Sequence, residues 1–262
     1  MHPLLQVTPH RRLVVAHRGN SAHAPENTLE AFRQAVALGV DALELDVRLT
    51  ADGRAVVIHD PTLSRTTDRD GAVERLQLAD LRTADAGARF SGDGGRSFPY
   101  RGRGISVPTL DDVLEEIAEL PLLIEIKTDT VSAETRRIIE AHGAEERCVV
   151  ASFQHGALEA FRGSRVPLSG TPAEIRAIYW SAALRRRVPG VAFRCLSVPL
   201  HHRRIPLPIT GLVRSLEPLG VPVHVWTVDD VRVARRLWRV GVRGVLTNDP
   251  ERLLRARSEE AS

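Results

Sequence analysis

The 262-residue chain has two cysteines, one methionine and a single lysine, and aromatic residues make up only 4% of it. Cys148 and Cys195 are too few for a disulfide framework, and no CxxC or Cys/His cluster suggests zinc. Both lie in apolar runs that read as strands, where a reduced thiol serves as a small buried hydrophobe. No apolar run approaches the ~20 residues that a membrane span needs. Residues 1–13, with Pro3, Pro9, Arg11 and Arg12, lack the apolar h-region of a signal peptide. A cytoplasmic protein without stable membrane insertion is therefore expected. All but one of the 36 basic residues are arginine, which reads as a background bias, and the net charge is only +3. The best basic cluster, Arg232, Arg235, Arg236 and Arg239 on one face of a predicted helix, reads as a solvated face. With no aromatic interleaving and no nucleic-acid motif, a nucleic-acid partner is not expected. No GxGxxG follows the first strand, which counts against a dinucleotide-binding open sheet.

What is present is an ordinary globular composition, 43% hydrophobic and 26% charged, organised as short β-rich runs alternating with helical patterns. The pattern predicts strands over 12–16, 42–49, 122–126, 147–152, 166–169, 191–198, 221–226 and 244–246. An extra strand is predicted over 55–58. Helices are predicted near 28–38, 110–120, 132–142, 155–161, 172–186, 209–218, 229–240 and 250–257. Eight strands, each with a following helix, give an α/β protein of the TIM (β/α)8 barrel type in a single domain, 1–262. Asn27 is expected to cap the first helix, with Glu30 completing a capping box, and Phe32, Ala35 and Val36 to form its inward stripe. Residues 61–104 are polar and glycine-rich, with a short helical pattern over 73–82. They read as an insertion in the second βα unit, over the barrel mouth and without a core of its own. Residues 258–262 read as a frayed tail.

Strand alternation sorts the side chains that could do chemistry. In 43–49, the leucines and Val47 share one face while Glu44, Asp46 and Arg48 share the other. In 123–127, Glu125 and Lys127 share a face. In a barrel the apolar set packs under the helices and the charged set points inward. Three carboxylates aimed at one small volume are costly unless paired. Either a hard divalent cation, Mg²⁺ or Ca²⁺, relieves the cost, or internal ion pairs do: Glu44 and Asp46 with Arg48, Glu125 with Lys127. His17 and His59 fall at the C-terminal ends of strands, where barrel active sites are built. With Arg18 and Lys127 they suggest an anion-handling hydrolytic site suited to a phosphate ester.

These residues occur in an ordered series: His17-Arg18-Gly19, Pro25-Glu26-Asn27-Thr28, Glu44-Leu45-Asp46, His59-Asp60, Pro108-Thr109-Leu110, Glu125-Ile126-Lys127, Ser152-Phe153, Val225-Trp226-Thr227-Val228 and Thr247-Asn248-Asp249-Pro250. The series, spanning roughly 13–255, resembles the glycerophosphodiester phosphodiesterase family, whose fold is a TIM barrel. The resemblance implies that His17 and His59 form the general acid/base pair and that Glu44, Asp46 and Glu125 hold a divalent metal. It implies that Arg18 and Lys127 contact phosphate oxygens, that Glu26 braces them, and that Trp226 lies against the glycerol moiety; core packing is the alternative for Trp226. The implied reaction is hydrolysis of a small-molecule glycerophosphodiester to sn-glycerol 3-phosphate and an alcohol. The alternatives are lysophospholipase D activity and a catalytically silent, phosphate-ester-binding barrel. The polar insertion is expected to decide between deacylated substrates and lysophospholipids, and its composition favours small substrates; a silent barrel should have lost a histidine or a metal carboxylate, and all five are present. Asn248 departs from the acid more common in the final motif, which puts a peripheral contact or helix cap in question. The region 182–209 matches no motif, and His201 and His202 are expected on a surface loop.

Overall fold

The computed structural model describes residues 2–8, 11–183, 190–202 and 205–259. Its strands are β1 (Leu13–His17), β2 (Ala42–Leu49), β3 (Ala55–Val57), β4 (Leu122–Ile126), β5 (Cys148–Ser152), β6 (Leu196–Pro199), β7 (His201–His202), β8 (Ile205–Pro206), β9 (Val223–Trp226) and β10 (Gly244–Thr247). Parallel pairing runs in the order β5-β4-β2-β1-β10-β9-β6. Leu168 and Ser169 close the ring by single parallel bridges to Val150 on one side and Cys195 on the other. The segment 166–169, expected as a full strand, makes only these bridges because Pro167 has no N–H to donate; its carbonyl still accepts from Val150. The result is a TIM barrel.

The helices are α1 (Leu29–Ala37), α2 (Leu78–Leu81), α3 (Leu110–Glu116), α4 (Ser132–Ala141), α5 (Pro172–Ala183), α6 (Ile209–Leu216), α7 (Val231–Arg239) and α8 (Pro250–Glu259). The predicted end of the fifth long helix, residues 184–186, lies outside the described residues, as do Arg203, Arg204 and residues 260–262. The segment 155–161 is a 3₁₀ helix, and the strand expected over 191–198 begins only at Leu196. His201 is exposed on β7, which pairs with β8 rather than lying in a loop. Ser258 and Glu259 are helical, not frayed.

The strand faces follow the alternation. Leu43, Leu45 and Val47 are fully buried with Phe32 of α1, Leu110 and Leu114 of α3 and Ile138 of α4. Inside the barrel, Leu13, Val15, Leu123, Val149, Cys195 and Leu246 form a second cluster around Leu4. The 3₁₀ turn Pro3–Leu5 supplies Leu4, whose carbonyl accepts a hydrogen bond from Nε2 of buried His224 at 2.8 Å. Burial pushes both thiols, Cys148 and Cys195, up to about 12, so both are inert structural residues.

Two local expectations for α1 fail. Thr28, not Asn27, is the cap: its hydroxyl accepts from the Ala31 N–H. Asn27 instead adopts a left-handed conformation, φ 57°, and turns its side chain toward β2. Val36 is 42% exposed, and Ala31 joins Phe32 and Ala35 on the buried face.

Between β3 and α3 the polar segment is built on its own apolar cluster, contrary to expectation. Leu63, Val73, Leu81, Ala84, Ala86 and Val107 pack on Val56 and Ile58. Only small patterns of apolar residues separated by turns supply it, which explains why no periodicity showed.

Candidate active site

Strand register assembles the charged residues. β1 pairs with β2 so that His17 lies opposite Glu44, and β2 pairs with β4 so that Asp46 lies opposite Glu125. One carboxylate oxygen from each of Glu44, Asp46 and Glu125 can then lie within 4.8 Å of the others. Glu44 and Asp46 are buried and Glu125 is partly so.

The ion pairs of the alternative reading are made only in part. Lys127 Nζ sits 2.6 Å from Glu125 and 3.1 Å from Asp46, and Arg18 Nε is 3.1 Å from Asp46. Arg48 turns away and donates Nε to the His59 carbonyl at 2.8 Å. Glu44 meets the Arg18 backbone N–H at 3.1 Å and His17 Nε2 at 3.9 Å. Burial pushes the Glu44 carboxyl well above the usual range, and repulsion from Asp46 and Glu125 adds to it. Burial also raises Glu125. At Asp46 burial acts in the same sense but Lys127 and Arg18 outweigh it, leaving that carboxyl below its usual value. The cluster is thus short of positive charge. Asp46 Oδ1, though beside Lys127, accepts no well-aligned hydrogen bond. An all-oxygen donor set with this deficit fits a hard divalent cation.

The β1–α1 loop is folded tightly to serve this cluster. Arg18 has φ 60°, and its carbonyl accepts the Asn27 N–H at 3.0 Å, doubling the chain back. Gly19 follows at φ 82°, where a Cβ would stand 2.7 Å from the Ala31 backbone, so only glycine fits. The fold-back lets Asn27 Nδ2 donate to Asp46 Oδ2 at 2.9 Å. It also sets Glu26 against Arg18 Nη1 at 2.9 Å.

The two histidines have different partners. His17 Nδ1 lies 2.8 Å from Asn248 Oδ1. Asn248 Nδ2 donates to the Asp229 carboxylate, which fixes the amide's orientation. His17 Nδ1 therefore carries the proton and donates, leaving Nε2 with a free lone pair. Burial, and secondarily Arg18, hold His17 below its usual 6.5. His59 Nδ1 lies 2.6 Å from Asp60 Oδ1. Hydrogen bonds from Arg65 hold the Asp60 carboxyl far below the usual carboxylate range, so it is ionised.

A cavity of about 150 Å³ opens between these groups. His17, Arg18, Glu44, His59, Glu125 and Lys127 give its lining the charged groups, Phe153, Pro172, Ile175, Pro199 and Trp226 the larger apolar ones, and Ser152, Ser169 and Ser197 add hydroxyls. Trp226 meets Phe153 edge-on, with ring centroids 5.7 Å apart. Neither Asp46 nor Glu26 lines the cavity, nor does any residue of 61–104. The sequence reading missed Asp60, Arg65, Phe153 and Asp229, and misjudged Asn27 and Asn248. Asp60 and Phe153 stand inside the His59-Asp60 and Ser152-Phe153 motifs, and their adjacency to His59 and to the end of β5 was the available signal.

Residues 17–252 match the Glycerophosphoryl diester phosphodiesterase family. The chain belongs to that family. It is a phosphoric diester hydrolase, and His17 and His59, the acidic cluster and Trp226 all lie within the matched region. A glycerophosphodiester phosphodiesterase of Caldanaerobacter subterraneus subsp. tengcongensis is 35% identical over 258 residues, 93% of this chain and 97% of the relative. Among solved structures, an Oleispira antarctica phosphodiesterase in complex with the product sn-glycerol-3-phosphate is 26% identical, with a TM-score of 0.76 over 95% of this chain and 97% of that one. A glycerophosphoryl diester phosphodiesterase domain from Mycobacterium tuberculosis superposes with a TM-score of 0.83 over 95% and 99% of the two chains. At 23% identity it bears on the fold alone. Among the described residues, no helix is long and apolar enough to cross a membrane.

Proposed function

We propose that this enzyme hydrolyses glycerophosphodiesters to sn-glycerol 3-phosphate and an alcohol, with a divalent cation held by Glu44, Asp46 and Glu125 and with His17 and His59 as base and acid. The observation that carries the reading is the convergence of three carboxylates beside two histidines whose Nδ1 atoms are tied to chemically different partners. The product seen in the Oleispira antarctica relative supports the substrate class.

A divalent cation held by Glu44, Asp46 and Glu125 would supply Lewis acidity toward the substrate's phosphate. The chain's own groups do the rest. Arg18 and Lys127 border the cavity with their charges already oriented by Asp46, Glu26 and Glu125, ready to contact phosphate oxygens. His17 suits the base: its neutral amide partner leaves Nε2 unprotonated, and burial keeps the ring from charging. Nε2 takes the proton of the attacking hydroxyl, that of water or of the substrate's neighbouring carbon, as its oxygen bonds to phosphorus; in the second case water then opens the cyclic phosphate to give the same product. His59 suits the acid: its partner is an anion, which complements an imidazolium. Its Nε2–H protonates the alkoxide released as the phosphorus–oxygen bond breaks. Trp226 would lie against the glycerol carbons, with Phe153 setting its tilt.

A second substrate reading has a specific observation behind it. Phe153, Pro172, Ile175, Pro199 and Trp226 give the cavity an apolar part, and Phe153 is 52% exposed. A lysophospholipid could lay its acyl chain there. On this reading the apolar lining, rather than the 61–104 segment, sets the substrate, since no residue of that segment lines the cavity.

Changing the leaving group tests the histidine roles. His59→Ala is expected to lose at least ~10² in kcat on glycerophosphocholine, and much less on a glycerophosphodiester with a p-nitrophenolate leaving group, which departs without protonation. His17→Ala is expected to lose activity on both. Equal losses for His59→Ala on the two substrates would reject it as the acid. Comparing lysophosphatidylcholine with glycerophosphocholine on the wild type decides the second reading.

A further inference from the structure

Arg65 sits in the 61–104 segment, five residues after Asp60 and 39 after Glu26, and outside the cavity lining. Its guanidinium engages two carboxylates at once. Nε donates to Asp60 Oδ2 at 2.5 Å and Nη2 to Asp60 Oδ1 at 3.2 Å. Nη1 and Nη2 donate to Glu26 Oε2 and Oε1, each at 2.7 Å. Each carboxylate has a further partner in the site. Asp60 Oδ1 accepts from His59 Nδ1, and Glu26 Oε1 accepts from Arg18 Nη1.

We propose that Arg65 is a positioning residue: by forking to Asp60 and Glu26 it fixes the ring of His59, and secondarily the guanidinium of Arg18, and this is what the 61–104 segment contributes to the reaction. The inference rests on the reading of His59 given above.

An arginine 47% exposed is ordinarily a surface ion-pair donor of little consequence. Three features set this one apart. The geometry is bidentate on both sides, which only a planar guanidinium can satisfy. The backbone that carries it is held: Leu63 is buried in the satellite cluster, and the N–H groups of Thr66 and Thr67 close a turn on its carbonyl at 3.3 and 3.0 Å. Thr67 is fully buried, its hydroxyl donating to the Leu63 carbonyl, and its own carbonyl accepts Arg89 Nε at 2.7 Å. Arg65 therefore projects from the apex of a fixed turn. Finally, the two carboxylates come from separate loops, the one after β1 and the one after β3, with no direct bond between them. Arg65 is what joins them.

Without it, the Asp60 carboxylate keeps one partner among the described residues, the His59 ring, and gains freedom to rotate into water. Arg18 retains Asp46 as its second anchor at 3.1 Å. The damage should therefore fall mainly on His59, and on kcat more than on KM.

Two readouts test this. In proton NMR of the protein as purified, the His59 Nδ1–H, assigned by its disappearance in His59→Gln, is expected downfield in the wild type. It is expected to be lost or moved upfield in Arg65→Ala. With glycerophosphocholine, Arg65→Ala is expected to lower kcat by ~10–100-fold, the usual effect of losing an outer partner of a functional ligand. Arg65→Lys should fall between, because a point charge cannot fork to both carboxylates, and added guanidinium should restore part of the Arg65→Ala loss. An unmoved His59 proton, or an unchanged kcat, overturns the proposal. So does a loss that guanidinium leaves untouched. If the wild type turns over no glycerophosphodiester, the functional reading fails, and the NMR comparison still decides whether Arg65 orients His59.

Discussion

Asn248 is the position where the sequence left doubt and where the structure makes a strong prediction. Its amide bridges His17 and Asp229, at 2.8 and 2.9 Å. Asn248→Ala removes the acceptor that holds the His17 ring and selects its tautomer. Losing an outer partner of this kind costs ~10–100-fold in activity, about 1.4–2.7 kcal/mol of transition-state stabilisation. Asn248→Asp is more diagnostic. It sets a carboxylate where the Oδ1 acceptor stands, and an opposite charge within hydrogen-bonding distance raises an imidazole by ~1–3 pKa units. The neighbouring Asp229 carboxylate resists ionisation of the new acid, so the expected shift is about one unit. The base role proposed for His17 requires a neutral ring, so on that proposal activity falls as pH drops through its pKa. In the wild type burial, and then Arg18, place that limb below 6.5; in Asn248→Asp it moves up. The assay is the pH profile of kcat/KM on glycerophosphocholine. An acid limb that stays put or moves down in Asn248→Asp would refute the role given to His17 and its amide.

Three further outcomes follow from the same geometry. Glu44→Gln is expected to abolish activation by added divalent metal, measured as turnover against metal concentration; full activation would remove Glu44 from the ligand set. Burial depresses His224 to about 4 from 6.5; between these values the unfolded chain binds more protons at this ring, so His224 alone should take roughly 3 kcal/mol from stability as pH drops from 6.5 to 4. Denaturant titrations across that range check it, with His224→Gln expected to flatten the slope; an equal slope in the variant would exonerate the buried ring. Cys148 and Cys195 are expected to ignore a thiol reagent in the native state and to react fully when unfolded, and rapid native labelling would contradict their burial.

The barrel was legible because its strands alternate so regularly. The 43–49 run separates Leu43, Leu45 and Val47 from Glu44 and Asp46 by face alone, and both faces are where alternation placed them. The same rule put Glu125 beside Asp46 and Trp226 above His224. Short-range chemistry was less legible. Thr28 and Asn27 are both good caps by type, and only the fold-back at Arg18 decides that Asn27 serves Asp46. Val36 is apolar at a helical spacing, yet it stays exposed and Ala31 is buried instead. The long-range polar bonds could not be read at all. Asn248 lies 231 residues from His17 and Arg65 lies 39 from Glu26, so closure of the barrel and folding of the insertion bring them together.

The most direct test of the central claim is turnover of glycerophosphocholine by metal-stripped protein, with Mg²⁺ and Ca²⁺ restored separately and products identified. The expected result is sn-glycerol 3-phosphate and choline, formed only when a divalent ion is present. Full turnover without metal, or release of glycerol and phosphocholine instead, would contradict it.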